Sequence, residues 1–422
     1  MSDALPLPPR PNLEQYKKLA RELQHACKSD DPAAIRRWAA RWNQAEQIER
    51  RWKKLKETNG NVADCTLAGA QFFIAREHGF NNWPKFARHV QELAGANSMV
   101  SAFEAAADAI VTGDIASLRR LIAANPTLTR DRSTRGHRST LLHYVSANGI
   151  EDYRQKTPAN IVEITHLLLD AGADVNAESD AYGGGCTALG LVATSVHPER
   201  AGVQIALLEA LLARGARMDQ PSAGGNGHSL IYACFANGQP KAAEFLAQRG
   251  APVDLEAAGP LGRLDVVKSY FDQNGKLLPT ATPRKMQNAY YGACYEGHIQ
   301  VVRFLLDHGI DPPTTNDGGE TGLHCAATGA HLDLIRLLLE RGCPAGWKDK
   351  NYHGTALDFA LWAWQNSSKK EVRERSYETI AMLVRAGVTF DPQQWSNPEG
   401  GESAMLAKIA ADPRMQAALR GE

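Results

Sequence analysis

The chain has no surplus of charge: 47 lysines and arginines meet 47 aspartates and glutamates over 422 residues. That balance excludes a chain-wide electrostatic hold on nucleic acid or on an anionic membrane. Also missing is any run of about 18 apolar residues, so no membrane-spanning helix is expected. The opening MSDALPLPPRP lacks the basic lead and apolar stretch of a secretory leader. Seven cysteines, at 27, 65, 186, 234, 294, 325 and 343, make no CxxC pair and no Cys/His cluster. Their scatter predicts reduced structural thiols in a cytoplasmic protein rather than a disulfide framework or a zinc site. Catalytic signatures are absent too. There is no GxSxG elbow, and the GGG at 183–185 is followed by no GK[ST]. No His/Asp/Glu spacing suits a metal, so neither metal nor cofactor is expected.

What the chain does have is repetition. Four segments, VEITHLLLDAGADVN (162–176), IALLEALLARGARMD (205–219), VVRFLLDHGIDPP (301–313) and DLIRLLLERGCPAG (333–346), place apolar residues on one helical face and follow them with glycine. Each is preceded by a shorter helical stretch entered through Thr or Ser: TLLHYVSANG (140–149), TALGLVATS (187–195), SLIYACFANG (229–238), TGLHCAATGAH (321–331) and TALDFALWA (355–363). The entering hydroxyl can cap the free N–H groups of the helix it opens.

These residues resemble the ankyrin repeat. Thr321, Leu323, His324 and Ala326 match its TPLHxA opening, and Gly172-Ala173-Asp174-Val175-Asn176 its GADVN close. The likeness runs over about 290 residues and implies an all-α solenoid of about eight helix pairs, each stabilised by its neighbours. Units are expected at 100–126, 140–176, 187–219, 229–253, 253–275, 288–313, 321–346 and 355–390, within a solenoid spanning 98–390. Residues 140–215 are also similar to a bacterial ankyrin-repeat group with HYxANGxExYRQ, YGGG and HPxxAGVQ segments. The family's general role implies a non-catalytic scaffold that binds a protein or peptide, whose identity the residues do not give. Neither nucleic acid nor membrane is expected as a partner.

Outside the repeats, residues 1–11 read as a flexible Pro-rich tail and 12–96 as an N-terminal helical capping domain. Within it, LEQYKKLARELQHA, PAAIRRWAARWNQAEQIERRWKKL, TLAGAQFFIAREHG and NNWPKFARHVQEL predict four helices. Ile35, Trp38, Trp42, Ala45, Ile48 and Trp52 make a stripe expected to face its core. Residues 1–96 hold 16 basic against 11 acidic residues, and RRWKKLK (50–56) reads as a solvated face. Residues 391–422 are expected to form a C-terminal helical cap.

Departures from the repeat are where function is sought. Regular units place 12 positions between the inner turn and the closing glycine, as from Gly297 to Gly309. From Gly149 to Gly172 there are 23, from Val196 to Gly215 there are 19, and from Trp364 to Gly387 there are 23. The first two insertions leave adjacent units from the same turn. Glu151, Tyr153, Arg154 and Gln155 are therefore expected beside Ser195, His197, Glu199 and Arg200, with Tyr182 on the opposite rim. The plainer reading is a buttress in which Arg154 meets a carboxylate. The alternative is a small-molecule or catalytic pocket, although Ser195, His197 and Glu199 predict neither a base in reach nor an oxyanion hole. A separate expectation is a binding surface on the concave face and hairpins, carried by Arg135, His137, His228, Tyr295, Trp347, Tyr352 and Trp362, since exposed aromatics dominate interface energetics. His143 and His324, fourth in the repeat opening, are expected to bond neighbouring loops. Between Gly250 and the next helix one hairpin is missing, and Pro260 cuts that helix short.

Overall fold

The computed structural model describes residues 4–8, 10–95, 98–219, 227–395 and 404–422. The chain divides into two compact units, Met1–Phe245 and Leu246–Glu422.

The first unit begins with α1 Leu13–Lys28, α2 Ala34–Ala39, α3 Ala45–Thr58, α4 Gly60–Ala63, α5 Leu67–Glu77 and α6 Trp83–Ala94. The single helix expected over 32–55 is two. The break between α2 and α3 lets Trp42 fold onto Trp38, with ring centroids 5.0 Å apart and Arg41 over both rings. Trp38 donates its indole N–H to Leu19 O, and Trp52 stands edge-on to Phe73. The stripe thus packs a core with Leu23, Ile48 and Phe86. Asn82 accepts from Lys85 N, capping α6 in front of Pro84.

Two expectations fail here. The N-terminal tail is not free at Leu5, which is buried, donates its N–H to Glu77 O and accepts from His78 Nδ1. Residues 1–3 and 9 of that tail lie outside the described residues. Secondly, Cys27 and Cys65 form a disulfide, because the last turn of α1 meets the turn after α4. A separation of 38 residues carries no sequence signature of that pairing. Cys27→Ala/Cys65→Ala should destabilise the chain by about 2–4 kcal/mol, since it frees a long loop in the unfolded state. An unchanged urea midpoint would show that the bridge contributes nothing.

The repeats of this unit are α7 Met99–Thr112 with α8 Ile115–Ala124, a 3-10 helix Leu141–Ser146 with α9 Ile161–Asp170, α10 Ala188–Ala193 with α11 Val196–Arg200 and α12 Gln204–Leu212, and α13 Leu230–Ala236 followed by α14 Pro240–Gln248. The division into units falls within α14. The opening at 140–149 is a tighter 3-10 turn than expected, capped by Thr140 with His143 and ending on Ala147 at φ 49°. Between α9 and α10, Glu178–Ser179 (β1) and Cys186–Thr187 (β2) pair antiparallel to form a finger. Its tip folds over Gly149, where a Cβ would stand 2.9 Å from that of Ala181 and φ is +69°. Only glycine fits both conditions.

The second unit comprises α15 Leu255–Ala258, α16 Leu264–Lys268, α17 Pro283–Glu296, α18 Ile299–Asp307, α19 Gly322–Thr328, α20 Leu332–Glu340, α21 Ala356–Asn366, α22 Lys370–Arg385, α23 Ala404–Ala411 and α24 Pro413–Ala418. α15 and α16 are short, as the missing hairpin and Pro260 imply, and Gly259 lies so close to Ala289 that any side chain would collide with its backbone. The insertion of the eighth unit is not a loop. It lengthens α22 to 16 residues, because KKEVRERSYE continues the helical pattern of the apolar face. One buried cluster runs through Leu305, Leu323, Leu338, Leu357 and Ile380 to Met415. Of the C-terminal segment, 396–403 lie outside the described residues. No described helix is long and apolar enough to cross a membrane.

Candidate functional site

In the second unit, the first helices of three successive repeats, α17, α19 and α21, and the finger before α21 line a groove of about 510 Å³. Its walls are Tyr295 near the end of α17, Tyr352 on the finger before α21, and Phe359 and Trp362 in α21, with Trp395 closing one side. Tyr295, Tyr352 and Trp362 are 50, 74 and 53% exposed, which places their ring faces in solvent rather than in the core. Two carboxylates, Glu320 and Asp358, also line the groove, and none of its lining residues is basic.

Each wall is positioned by local bonding. Asp349 accepts from the backbone N–H groups of Asn351, Tyr352 and Gly354, so the finger is wound around one side chain. Burial alone would raise the Asp349 carboxyl, but those donors hold it below its ordinary value. Asp358 takes the fourth position of its repeat opening, where His143 and His324 stand in theirs. It accepts from Thr355 N and Oγ1 through one oxygen and from the Trp395 indole N–H, at 3.0 Å, through the other. Glu320 Oε2 accepts from Asn316 Nδ2 at 2.9 Å. Desolvation, then the nearby Glu296, Cys325 and Glu320, push the Tyr295 phenol up.

Tyr295, Trp347, Tyr352 and Trp362 are the aromatic residues of the expected binding surface. Three of them meet in the groove, but Trp347 is not among its lining residues and donates its indole N–H to Gly319 O. The groove residues that reasoning missed are Glu320, Asp358, Phe359 and Trp395. The Asp in TALD, where the repeat opening carries His, was the available signal; Trp395 had none.

The insertions of the first unit behave differently. The segment 150–160 turns back, through a 3-10 helix Asp152–Arg154, onto α7 and the hairpin at 133–139. Arg154 donates Nη1 to Glu104 Oε2 and Nε to Asp108 Oδ1, both at 2.8 Å. Arg135 donates Nη2 to the same Glu104 oxygen at 3.0 Å and to the Tyr153 hydroxyl at 3.3 Å, and its Nε stands 2.5 Å from Glu151 Oε1. Ser139 N donates to His137 Nδ1, which makes Nε2 the protonated nitrogen that faces Glu151 at 3.3 Å. Arg135, Glu151 and Arg154 are 1, 1 and 3% exposed.

This overturns the expectation of Arg135 and His137 as surface-binding residues, since both are buried. It also corrects the pairing of the insertions. Glu151, Tyr153 and Arg154 face the preceding repeat, and Glu104, which the sequence does not single out, is the common partner of Arg135 and Arg154. Only Gln155 turns toward the following insertion, where it lines a second groove of about 570 Å³ with Tyr182, His197, His228, Tyr232 and Asn237. Tyr182, expected on the opposite rim, reaches over Gly149 and donates its hydroxyl to Asn148 Oδ1 at 2.6 Å. Ser195 is buried and accepts from His197 N at 3.4 Å, which makes it the cap of α11. Pro198 is the buried residue of that helix, with Glu199 half-buried and Arg200 exposed beside it. His143 and His324 bond Cys186 O and Gly354 O, as their position in the repeat opening implied. Among the described residues no group of three His, Cys, Asp or Glu is placed to hold a metal ion.

The buried charges set a pH dependence. Burial pushes the Glu104 carboxyl up, but the Arg135 and Arg154 guanidiniums outweigh it and bring the value down to about 2. Burial also lowers His78 and His89 from 6.5 to about 4. In all three the folded value lies below the unfolded one, so their stabilisation is complete above the unfolded values and is lost as pH falls through the folded ones. The urea midpoint of the first unit should therefore decline from about pH 6.5 to 4 through the histidines and from about pH 4.5 to 2 through Glu104. A midpoint constant between pH 6.5 and 4 would mean that neither histidine is buried neutral.

Helix pairs entered through capped Thr or Ser, closed by left-handed glycines and joined by fingers, define the repeats of both units as all-α ankyrin-repeat solenoid, a fold whose general use is protein recognition. Residues 292–339 match the family model of ankyrin repeats. Similar proteins include "Ankyrin repeat, SAM and basic leucine zipper domain-containing protein 1" of Ovis aries, 36% identical over 83 residues, covering 19% of this chain and 18% of the relative. Another is "Potassium channel AKT2/3" of Arabidopsis thaliana, 26% identical over 132 residues, covering 31% of this chain and 15% of that protein. The chain thus spans less than a fifth of the length of these curated relatives. Among solved structures, that of the ankyrin repeat domain of Bcl-3 overlays with a TM-score of 0.31 at 19% identity, covering 64% of this chain and 96% of that one.

Proposed function

We propose that this protein is a non-catalytic scaffold whose second unit binds a protein or peptide segment in the aromatic groove of Tyr295, Tyr352 and Trp362. The carrying observation is the exposure of three large rings around one concavity, which costs solvation unless a partner covers them. Aromatic residues of this kind supply most of the energy of an interface. The alternative, a small-molecule or catalytic pocket at the paired insertions, needs Tyr153, Arg154 and His197 to converge. Tyr153 and Arg154 instead engage Arg135 and Glu104, while His197 lines the other groove.

Selection of a random linear-peptide library on the wild type and on Tyr352→Ala/Trp362→Ala tests the reading. The wild type should enrich a family of sequences that the double variant binds at least about thirty-fold more weakly, the loss of one or two hot-spot rings. Equal enrichment on both proteins would remove the groove as the binding site. A cytoplasmic location is supported by the five buried free cysteines and opposed by Cys27–Cys65, because such compartments keep thiols reduced. Counting reactive thiols in denatured protein taken from the cell, seven or five, decides between the two.

A further inference from the structure

We infer that the groove of the second unit selects a segment carrying an arginine, whose guanidinium lies against Tyr295, Tyr352 and Trp362 and pairs with Glu320. The inference rests on the binding role proposed above and adds the chemistry of the ligand.

Glu320 and Asp358 stand among five aromatic residues, and no described basic residue forms an ion pair with either carboxylate. Several other acidic side chains of the unit have a basic partner, as Asp254 has Lys285, Asp307 has Arg341, Asp317 has Arg284 and Asp333 has Arg336. The groove instead sets two carboxylates without such a partner among its rings. Rings present their negative faces to a cation as well, so the walls and the carboxylates attract the same sign of charge.

Geometry favours arginine over lysine. Asp358 has both oxygens engaged, one by Thr355 and one by the Trp395 indole, so it acts as fixed charge behind the groove. Glu320 has its Oε2 on Asn316, and among the described residues no hydrogen bond engages its Oε1. A flat guanidinium can stack between rings while donating edge-on to such an oxygen, whereas an ammonium offers a point charge without a face. The finger that presents Tyr352 is wound on Asp349 and so is already shaped before a ligand arrives, which limits the ordering cost of binding.

The test uses acetyl-Ala-Arg-Ala-amide as probe, with the citrulline peptide as its neutral isostere and the lysine peptide as the other cation, read by saturation-transfer NMR on the full chain. The arginine peptide should bind at least ten-fold more tightly than the citrulline peptide and more tightly than the lysine peptide. Glu320→Gln should bring arginine and citrulline within two-fold of each other, and Tyr352→Ala, at a 74% exposed position, should weaken both. Equal binding of arginine and citrulline peptides by the wild type, with Tyr352→Ala still weakening both, would overturn the arginine assignment and leave the groove as a peptide site. Lysine binding as tight as arginine would overturn the choice of cation. Saturation transfer unchanged by Tyr352→Ala would place the probe elsewhere and overturn both readings.

Discussion

Arg135→Ala should destabilise the first unit by about 3–5 kcal/mol, the cost of removing one partner from a buried ionic cluster. The guanidinium is fully enclosed. It bonds His78 O, Glu104 and the Tyr153 hydroxyl, lies against Glu151, and stacks 5.3 Å above the Phe80 ring. Truncation leaves Glu104 with Arg154 alone and strips Glu151 of its nearest cation. Adding Glu151→Gln to Arg135→Ala should cost less than the sum of the two single changes, since residues of one network are coupled. Hydrogen exchange localises the effect: amides of α7 and of the hairpin at 133–139 should lose protection, and those of α20 should not. A loss below about 1 kcal/mol would show that the cluster is solvated and that the insertion is no buttress.

Leu168→Ala and Leu338→Ala should each cost about 3–5 kcal/mol, the upper part of the range for a leucine that leaves a cavity it cannot collapse. Both side chains are fully buried, Leu168 in α9 and Leu338 in α20. They sit at equivalent positions of the LLL run in their repeats, so each change strikes an interface between stacked helix pairs as well as its own pair. Because the chain has two units, a single two-state transition is not assumed. Leu168→Ala should shift the urea transition reported by exchange in α7 to α12, and Leu338→Ala the one reported in α17 to α22. Two unchanged midpoints would contradict stacking as the source of stability.

The repeats were legible because their signal is periodic and local. A Thr that caps, a leucine face and a glycine that closes recur with fixed spacing, and each works within one helix pair. That sufficed for the helix pairs and for the histidines at 143 and 324. The groove was half legible: Tyr295, Tyr352 and Trp362 occupy variable repeat positions, whereas Glu320 and Trp395 join them only through the way finger and C-terminal segment fold. The insertions were legible as insertions but not in direction. Spacing locates where residues 150–160 leave the repeat; nothing in it says that Arg154 turns back to Glu104, 50 residues earlier, instead of forward to His197. The same holds for Cys27 with Cys65 and for Leu5 beneath His78.

By itself, then, the sequence determined a helical repeat architecture with caps, turn glycines and apolar faces, since those depend on contacts a few residues apart. Only the tertiary structure decided that Arg135 and His137 are buried in an ionic cluster rather than offered to a partner, and that two carboxylates lacking a paired base share a groove with exposed rings. A charge or an aromatic ring looks the same in a sequence whether it is enclosed or exposed. Which it becomes is set by partners brought from distant parts of the chain, because burying a charge is tolerable only where an opposite one is already waiting.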